Sequence, residues 1–210
     1  LQSSGRVPDE LEGRLLRIRP SPIGPVDRAL YHWFTGTGLV HGLRLCGGRA
    51  EWYRSRFTMS ADAAAALGKP PISGPGKGQT AVNTSVTVIG GRVFAFVEAG
   101  ELPIELDDNL ESVPRSDFGG SLEGGFTAHP KRDPVTGECV ALTYEPGRPT
   151  LRYVVVDVVR HPRIHEHDRQ GPNEGTPVVV RWTLDRARGR LTEHVLDDHQ
   201  ARVRRHHEPL

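Results

Sequence analysis

Residues 39–57, LVHGLRLCGGRAEWYRSRF, predict two β-strands joined by a glycine turn. Both halves are rich in residues that favour strands, and the paired Gly47 and Gly48 allow a tight turn. The same pattern recurs in three further segments, Val82–Glu98, Cys139–Val159 and Val178–Leu196. A strand repeat of roughly 40–50 residues is typical of β-propeller blades. We therefore predict an all-β fold with about four hairpin units of a partial β-propeller, which need not close.

The composition agrees with a turn-rich β protein and excludes several classes. The 210 residues include 24 Gly and 17 Pro, which means many turns and argues against a helix bundle. The formal net charge of +1 excludes a dominant polybasic or acidic segment, so we expect no nucleic-acid partner. One short helix is predicted over Ser60–Leu67, with Ser60 as N-cap and Gly68 as C-cap.

The sequence also carries signals about the compartment. The two cysteines are too few for a disulfide scaffold, so reduced thiols are expected. No signal peptide and no apolar run long enough to cross a membrane is visible. We therefore expect a cytoplasmic protein without a transmembrane segment.

Four other motifs are weak signals of function. GTGLVHG (36–42) lacks the third glycine and the following helix of a dinucleotide loop, and GPGKGQT (74–80) has a broken phosphate-loop pattern. The spacing His161-x3-His165-x-His167 could chelate a divalent ion, but a solvated polar loop is the simpler interpretation. The basic end, residues 202–210, lacks interleaved aromatic residues, which favours a frayed terminus over nucleic-acid binding.

The segment FTAHPKRDPVTGE, residues 126–138, is the strongest candidate for a site. A histidine, His129, precedes a proline, and the turn residues Asp-Pro-x-Thr-Gly open the third hairpin. This arrangement holds His129 at the edge of a strand, where an imidazole could bind a metal ion. Taken alone, a single histidine before proline is more often structural.

Read with its surroundings, this segment resembles the first iron-ligand segment of the carotenoid cleavage oxygenases, a family that includes stilbene-cleaving dioxygenases and a retinoid isomerase. Residues 31–42, YHWFTGTGLVHG, are similar to the family signature HWFDGDGMVHG. Residues 94–103, FAFVEAGELP, resemble the family string LALxExGxP, and Asn83-Thr84 resembles its NT strand start. Further similar segments are Glu10–Arg14, Arg160–Pro162 and Arg181–Asp185.

The resemblance implies a seven-bladed β-propeller with one Fe(II) on its axis. Family members hold the iron with four histidines from different blades, orient some of these with glutamates, and use O2 to cleave a conjugated C=C bond into two carbonyls. Carried over by position, His129 is the first iron ligand and Glu98 the carboxylate behind it. The implied substrate is a lipophilic carotenoid, apocarotenoid or stilbene, and peripheral contact with a membrane is compatible with such a substrate.

The sequence also departs from the family pattern. The sequence motifs that carry the second, third and fourth ligands are absent, and the sequence that would form the strands of at least two blades is missing after Asp157. We therefore predict residues 1–160 to be N-terminal blades and residues 161–210 to be part of a later blade, joined across a deletion. Two hypotheses follow: an Fe(II)-dependent dioxygenase, or an inactive propeller remnant that acts as a non-enzymatic scaffold. A third, weaker alternative pairs the open sheet edges with another subunit.

Overall fold

The structure is a computed structural model, and it describes residues 5–76, 81–98, 100–118, 122, 124–135, 137–144, 151–158, 177–185, 190–196 and 202–204. Nearly all regular structure in these residues is β-sheet. The described strands form three antiparallel sheets, which follow one another along the chain and are numbered here from the N-terminus. No helix in the described part of the chain is long and apolar enough to cross a membrane.

The first sheet contains three strands, β1 (Gly13–Ser21), β2 (Thr37–Cys46) and β3 (Arg49–Phe57), in that order. The strands β2 and β3 are the hairpin predicted over residues 39–57, and the turn falls at Gly47 and Gly48, which both have positive φ. A bulge shifts their register between Arg44 and Leu45. The strand β1, which sequence reasoning missed, pairs with β2 along all nine of its residues.

The second sheet contains four strands, β4 (Ser85–Ile89), β5 (Arg92–Phe96), β6 (Ile104–Leu106) and β7 (Ser112–Arg115). They lie in sequence order, each antiparallel to the next, and β4 and β5 form the second predicted hairpin. The short strands β6 and β7 were not predicted.

The third sheet runs from β8 (Lys131–Arg132) and β9 (Cys139–Tyr144) to β10 (Leu151–Val158) and β11 (Pro177–Asp185), and ends with β12 (Arg190–Leu196) and β13 (Arg202–Arg204). The third and fourth predicted hairpins are both present, and β10 pairs with β11 along its full length. The expectation of a frayed end is wrong for residues 202–204, because these pair with β12.

One apolar layer lies between the first and second sheets, and another lies between the second and third sheets. The side chains of β5 alternate between the two layers, since successive residues of a strand point to opposite faces of its sheet. Val93 and Ala95 pack towards the first sheet, in a cluster with Val40. Phe94 and Phe96 point the other way, into a cluster that contains buried residues of the third sheet, Cys139, Ala141, Val154 and Val156. The middle sheet is therefore buried on both faces, as in a blade between two neighbours.

The predicted short helix is present as α1 (Ala61–Leu67). The Ser60 hydroxyl accepts a hydrogen bond from the backbone N–H of Ala63, and Gly68 ends the helix in the left-handed conformation with φ of 62°. Both predicted caps are confirmed.

Candidate functional site

The two residues singled out from the sequence, His129 and Glu98, lie in direct contact. The Nε2 atom of His129 is 2.8 Å from Oε2 of Glu98. Glu98 lies two residues after β5 and His129 two residues before β8, so the pair links the second sheet to the third. The side chains are 62% and 49% exposed, which leaves the imidazole accessible from solvent.

A cluster of four buried phenylalanines supports the pair. Phe96 ends β5, two residues before the glutamate of the pair, and Phe126 lies three residues before the histidine. Their rings are in contact, with centroids 5.3 Å apart. Phe118 contacts Phe126 at 5.9 Å and Phe94 at 5.3 Å, which closes the cluster. Because buried aromatic contacts of this kind are tightly packed, they set the spacing between the two chain segments that carry the pair.

Backbone contacts hold the segment before the histidine against the loop after the glutamate. The N–H of Phe126 donates to the carbonyl oxygen of Glu101 at 3.0 Å. Gly125 permits this approach, since a Cβ there would lie 2.6 Å from the carbonyl carbon of Gly100. The two segments therefore lie as close as two backbones can.

A second contact ties the same segment to the start of the second sheet. The hydroxyl of Ser85, the first residue of β4, donates to the carbonyl oxygen of Ala128 at 2.5 Å. Ala128 is buried and directly precedes His129. Together with the contact at Gly125, this bond ties the backbone that leads into His129 to the second sheet.

A histidine with a carboxylate at one ring nitrogen has the chemistry that one arm of a metal site requires. A carboxylate that accepts a hydrogen bond from one ring nitrogen of a histidine fixes its tautomer and orientation, which is the usual support of a metal-binding imidazole. Within the described ranges, no group of three or more His, Cys, Asp or Glu side chains could hold a metal ion. A non-haem Fe(II) site needs about three protein ligands, so among the described residues His129 could be one of them, and the other ligands would have to come from outside the described ranges. The histidines His161, His165 and His167 lie outside the described residues.

A small cavity of about 70 Å³ lies beside the same segment, lined by residues of β4, its turn and the third sheet. Pro130 and Cys139 are part of its wall. Burial raises the pKa of the Cys139 thiol to about 11, and the nearby Arg132 only partly opposes this shift. The thiol is therefore protonated near neutral pH and unsuited to act as a nucleophile or a metal ligand there.

Sequence reasoning singled out His129 and Glu98 as candidates but missed the residues that bring them into contact. The hydroxyl of Ser85 and the backbone at Gly125 each contact a backbone segment that is distant in the chain, 43 positions away for Ser85, and no local pattern encodes such contacts. The signal that could have found the aromatic cluster is the recurrence of phenylalanine shortly before both site residues, in FAFVE and FTAH.

Comparison with known proteins gives a consistent result over most of the chain. The model of the family described as retinal pigment epithelial membrane protein matches residues 1–200. A carotenoid cleavage oxygenase of Mycobacterium tuberculosis is 45% identical over 168 residues, which are 78% of this chain and 34% of that protein. A carotenoid 9,10(9',10')-cleavage dioxygenase of Phaseolus vulgaris is 30% identical over an alignment of 187 positions, and the match covers 74% of this chain and 34% of the relative. The chain thus spans about a third of the length of the curated relatives it matches.

Solved structures show the same fold. The crystal structure of a Pseudomonas brassicacearum lignostilbene dioxygenase superimposes with a TM-score of 0.62 at 24% identity. The superposition covers 92% of this chain and 48% of the other. The prediction of an all-β, partial propeller is confirmed by this likeness and by the three described sheets.

Proposed function

Because this chain belongs to the carotenoid cleavage oxygenase family, we propose that it carries one arm of the iron site of a dioxygenase that cleaves a conjugated C=C bond. The substrate class we propose is a carotenoid, an apocarotenoid or a stilbene. His129 is the proposed iron ligand, and Glu98 is the carboxylate that orients it. Residues 1–160 supply this arm, and residues 161–210 are proposed to derive from a later blade.

The observation that carries this proposal is the 2.8 Å contact between His129 and Glu98. The two residues are 31 positions apart in the sequence and lie at the ends of strands of different sheets, yet they meet beside a buried aromatic cluster. A solvent-exposed imidazole with a carboxylate behind it can present its other ring nitrogen to a metal ion. A surface ion pair without this support would contribute little, since exposed pairs are worth about 0–1 kcal/mol.

The proposed reaction uses one O2 per double bond. The C=C bond breaks, each carbon gains one oxygen atom, and two carbonyl products form, so no external reductant or proton is required. Bound iron would supply the activation of O2 in such a reaction. The role of the described residues is narrower: they hold one imidazole in a fixed orientation, with a carboxylate beside it.

The test is a cleavage assay on the full 210-residue chain, supplied with Fe(II) and air. An apocarotenal and a stilbene serve as substrates, and mass spectrometry detects paired aldehyde products that carry ¹⁸O from labelled O2. We expect products with the wild-type chain and none with His129→Ala. His32→Ala is the control, because His32 is exposed, precedes β2 in the chain and lies outside the pair.

Absence of products from the wild-type chain, at iron loading that is verified separately, would contradict the proposal and favour the inactive remnant. Equal product yield from wild type and His129→Ala would also contradict it, because the proposed ligand would then be dispensable.

A further inference from the structure

The backbone around His129 is restricted on both sides of the histidine, by a different residue on each side. On the C-terminal side, Pro130 disfavours the helical conformation of His129, because the proline ring clashes with the residue before it. On the N-terminal side, the carbonyl oxygen of Ala128 accepts the 2.5 Å hydrogen bond from the hydroxyl of Ser85. Ala128 is 2% exposed, so little water can compete for this bond. The peptide group that leads into His129 is thus held by the side chain of Ser85.

The same serine belongs to the pair of strands that leads to Glu98. Ser85 of β4 lies directly opposite Phe96 of β5, and the N–H of Thr84 donates to the carbonyl oxygen of Phe96 at 2.9 Å. Residues that lie opposite each other in an antiparallel pair point to the same face, and Phe96 packs towards the third sheet. Glu98 follows two residues after Phe96. The backbone of Ser85 is therefore fixed to the strand that carries the carboxylate, while its side chain bonds to the segment that carries the imidazole.

The bond from Ser85 controls a different part of the segment from the contact at Gly125. The contact at Gly125 lies four positions before the histidine and sets how closely the two backbones approach. The bond from Ser85 holds the peptide group directly before His129, which sets the direction in which the imidazole leaves the backbone. A rotation of this peptide group would move Nε2 of His129 away from Oε2 of Glu98, which now lies at 2.8 Å. Hydrogen bonds weaken steeply as their distance and angle depart from the normal range.

We propose that Ser85 is a positioning residue, whose hydroxyl aligns the imidazole of His129 with the carboxylate of Glu98. The alignment itself requires no metal ion. Its effect on metal affinity rests on the proposed function, in which His129 is a ligand and Glu98 orients it. The role belongs to the hydroxyl and not to the volume of the side chain, so variants of nearly equal shape separate the two.

The test compares Ser85→Thr with Ser85→Val, because the two side chains have nearly the same shape and differ in the hydroxyl. Ser85→Ala removes the hydroxyl without adding volume. Ser112→Ala is the matched control: the hydroxyl of Ser112, in β7 of the same sheet, accepts a 3.0 Å hydrogen bond from the N–H of Met59.

Three measurements are made on each variant. NMR of the metal-free chain records the NOE between the His129 ring and the Glu98 side chain, together with the χ1 couplings of His129. Anaerobic titration gives the affinity for Fe(II), and urea denaturation gives the stability.

In wild type and in Ser85→Thr we expect the NOE and the couplings of a single His129 rotamer. In Ser85→Val and Ser85→Ala we expect the NOE to fall several-fold, the couplings to average over rotamers, and the affinity for Fe(II) to fall about tenfold. Ser112→Ala should lose about as much stability as Ser85→Ala, yet keep the NOE, the couplings and the Fe(II) affinity of wild type.

Equal NOE and couplings in Ser85→Thr and Ser85→Val would overturn the proposal, because the hydroxyl would then be dispensable. Equal disturbance of the pair in Ser112→Ala would also overturn it, since the effect would then follow general stability. If wild type binds no Fe(II) while the NOE is lost only in the variants without the hydroxyl, the role of Ser85 is supported and only the proposed iron ligand fails.

Discussion

The substitution Gly125→Ala tests directly how the fold brings His129 to Glu98. A Cβ at position 125 would lie 2.6 Å from the carbonyl carbon of Gly100 and 2.7 Å from the amide nitrogen of Glu101. Both neighbours are backbone atoms and cannot rotate away. The two segments would have to separate by roughly 0.8 Å to reach the 3.4 Å of an ordinary contact.

Such a separation has two costs. It would lengthen the 3.0 Å hydrogen bond from the Phe126 N–H to the Glu101 carbonyl beyond the normal range. Overpacking costs about 1–3 kcal/mol and the lost hydrogen bond about 1 kcal/mol, so we expect a loss of about 2–4 kcal/mol in the free energy of unfolding. Urea denaturation measures this loss, and hydrogen exchange at the Phe126 amide reports the local opening.

Gly91→Ala is a control that costs stability without a steric contact. Gly91 has φ of +78°, and a Cβ added there would have no atom within 4 Å, so alanine costs about 1–2 kcal/mol through backbone conformation alone. In Gly125→Ala we expect hydrogen exchange at the Phe126 amide to be faster than the loss in the free energy of unfolding explains. In Gly91→Ala we expect no such excess. If Gly125→Ala were neutral in stability and in exchange, the claim of a close backbone approach would be refuted.

Three further outcomes are expected. Iodoacetamide at pH 8 should modify Cys139 much more slowly than Cys46 in the folded chain, because Cys139 is buried and a thiol with a pKa of about 11 is only about 0.1% thiolate there. Glu51 also raises the pKa of Cys46, but Cys46 is more accessible to the reagent. Equal rates would contradict the buried position of Cys139. Arg19→Gln should raise the pKa of His41 towards 6.5 in an NMR titration, since one positive charge is removed while burial remains. Because the folded-state pKa of His41 lies below 6.5, the unfolded chain binds more protons in this range, and the contribution of His41 to stability should fall as pH drops from 6.5 through the folded value. This fall should be smaller in Arg19→Gln. An unchanged pKa of His41 in the variant would show that the arginine does not act on the ring. Asn83→Ala should cost about 2–3 kcal/mol in urea denaturation, because the buried amide donates to the carbonyls of Phe34 and Gly36; a cost near zero would mean that water replaces both bonds.

The hairpins could be predicted from the sequence because their information is local. Paired glycines such as Gly47 and Gly48 mark the turn, and the strands on each side are rich in β-branched and aromatic residues. The same holds for α1, whose caps Ser60 and Gly68 are adjacent to the helix they end. Each of these elements depends on contacts within a few residues.

The missed strands depend on partners far along the chain. The strand β1 contains three arginines and a proline, a composition that gives no strand signal, and it is held by the register with β2. The last stretch, residues 202–210, was expected to fray because it shows no periodicity, yet residues 202–204 pair with the edge of β12. Tertiary pairing overrides weak local preference in both cases.

The candidate site likewise combines a local sequence signal with a contact between distant parts of the chain. The identity of His129 and Glu98 followed from a family resemblance in short strings, but their contact is a long-range property. It arises because the rings of Phe96 and Phe126 pack in one core while the backbones at positions 100 and 125 meet. No short string of residues encodes that support.

The role of His129 as an iron ligand can be measured by Fe(II) binding to the full chain under anaerobic conditions, compared among wild type, His129→Ala and Glu98→Gln. We expect wild type to bind iron, His129→Ala to abolish this binding, and Glu98→Gln to weaken it about 10–100-fold because the imidazole loses its orienting carboxylate. Identical binding isotherms for wild type and His129→Ala would exclude His129 as a ligand, since iron would then be held without it.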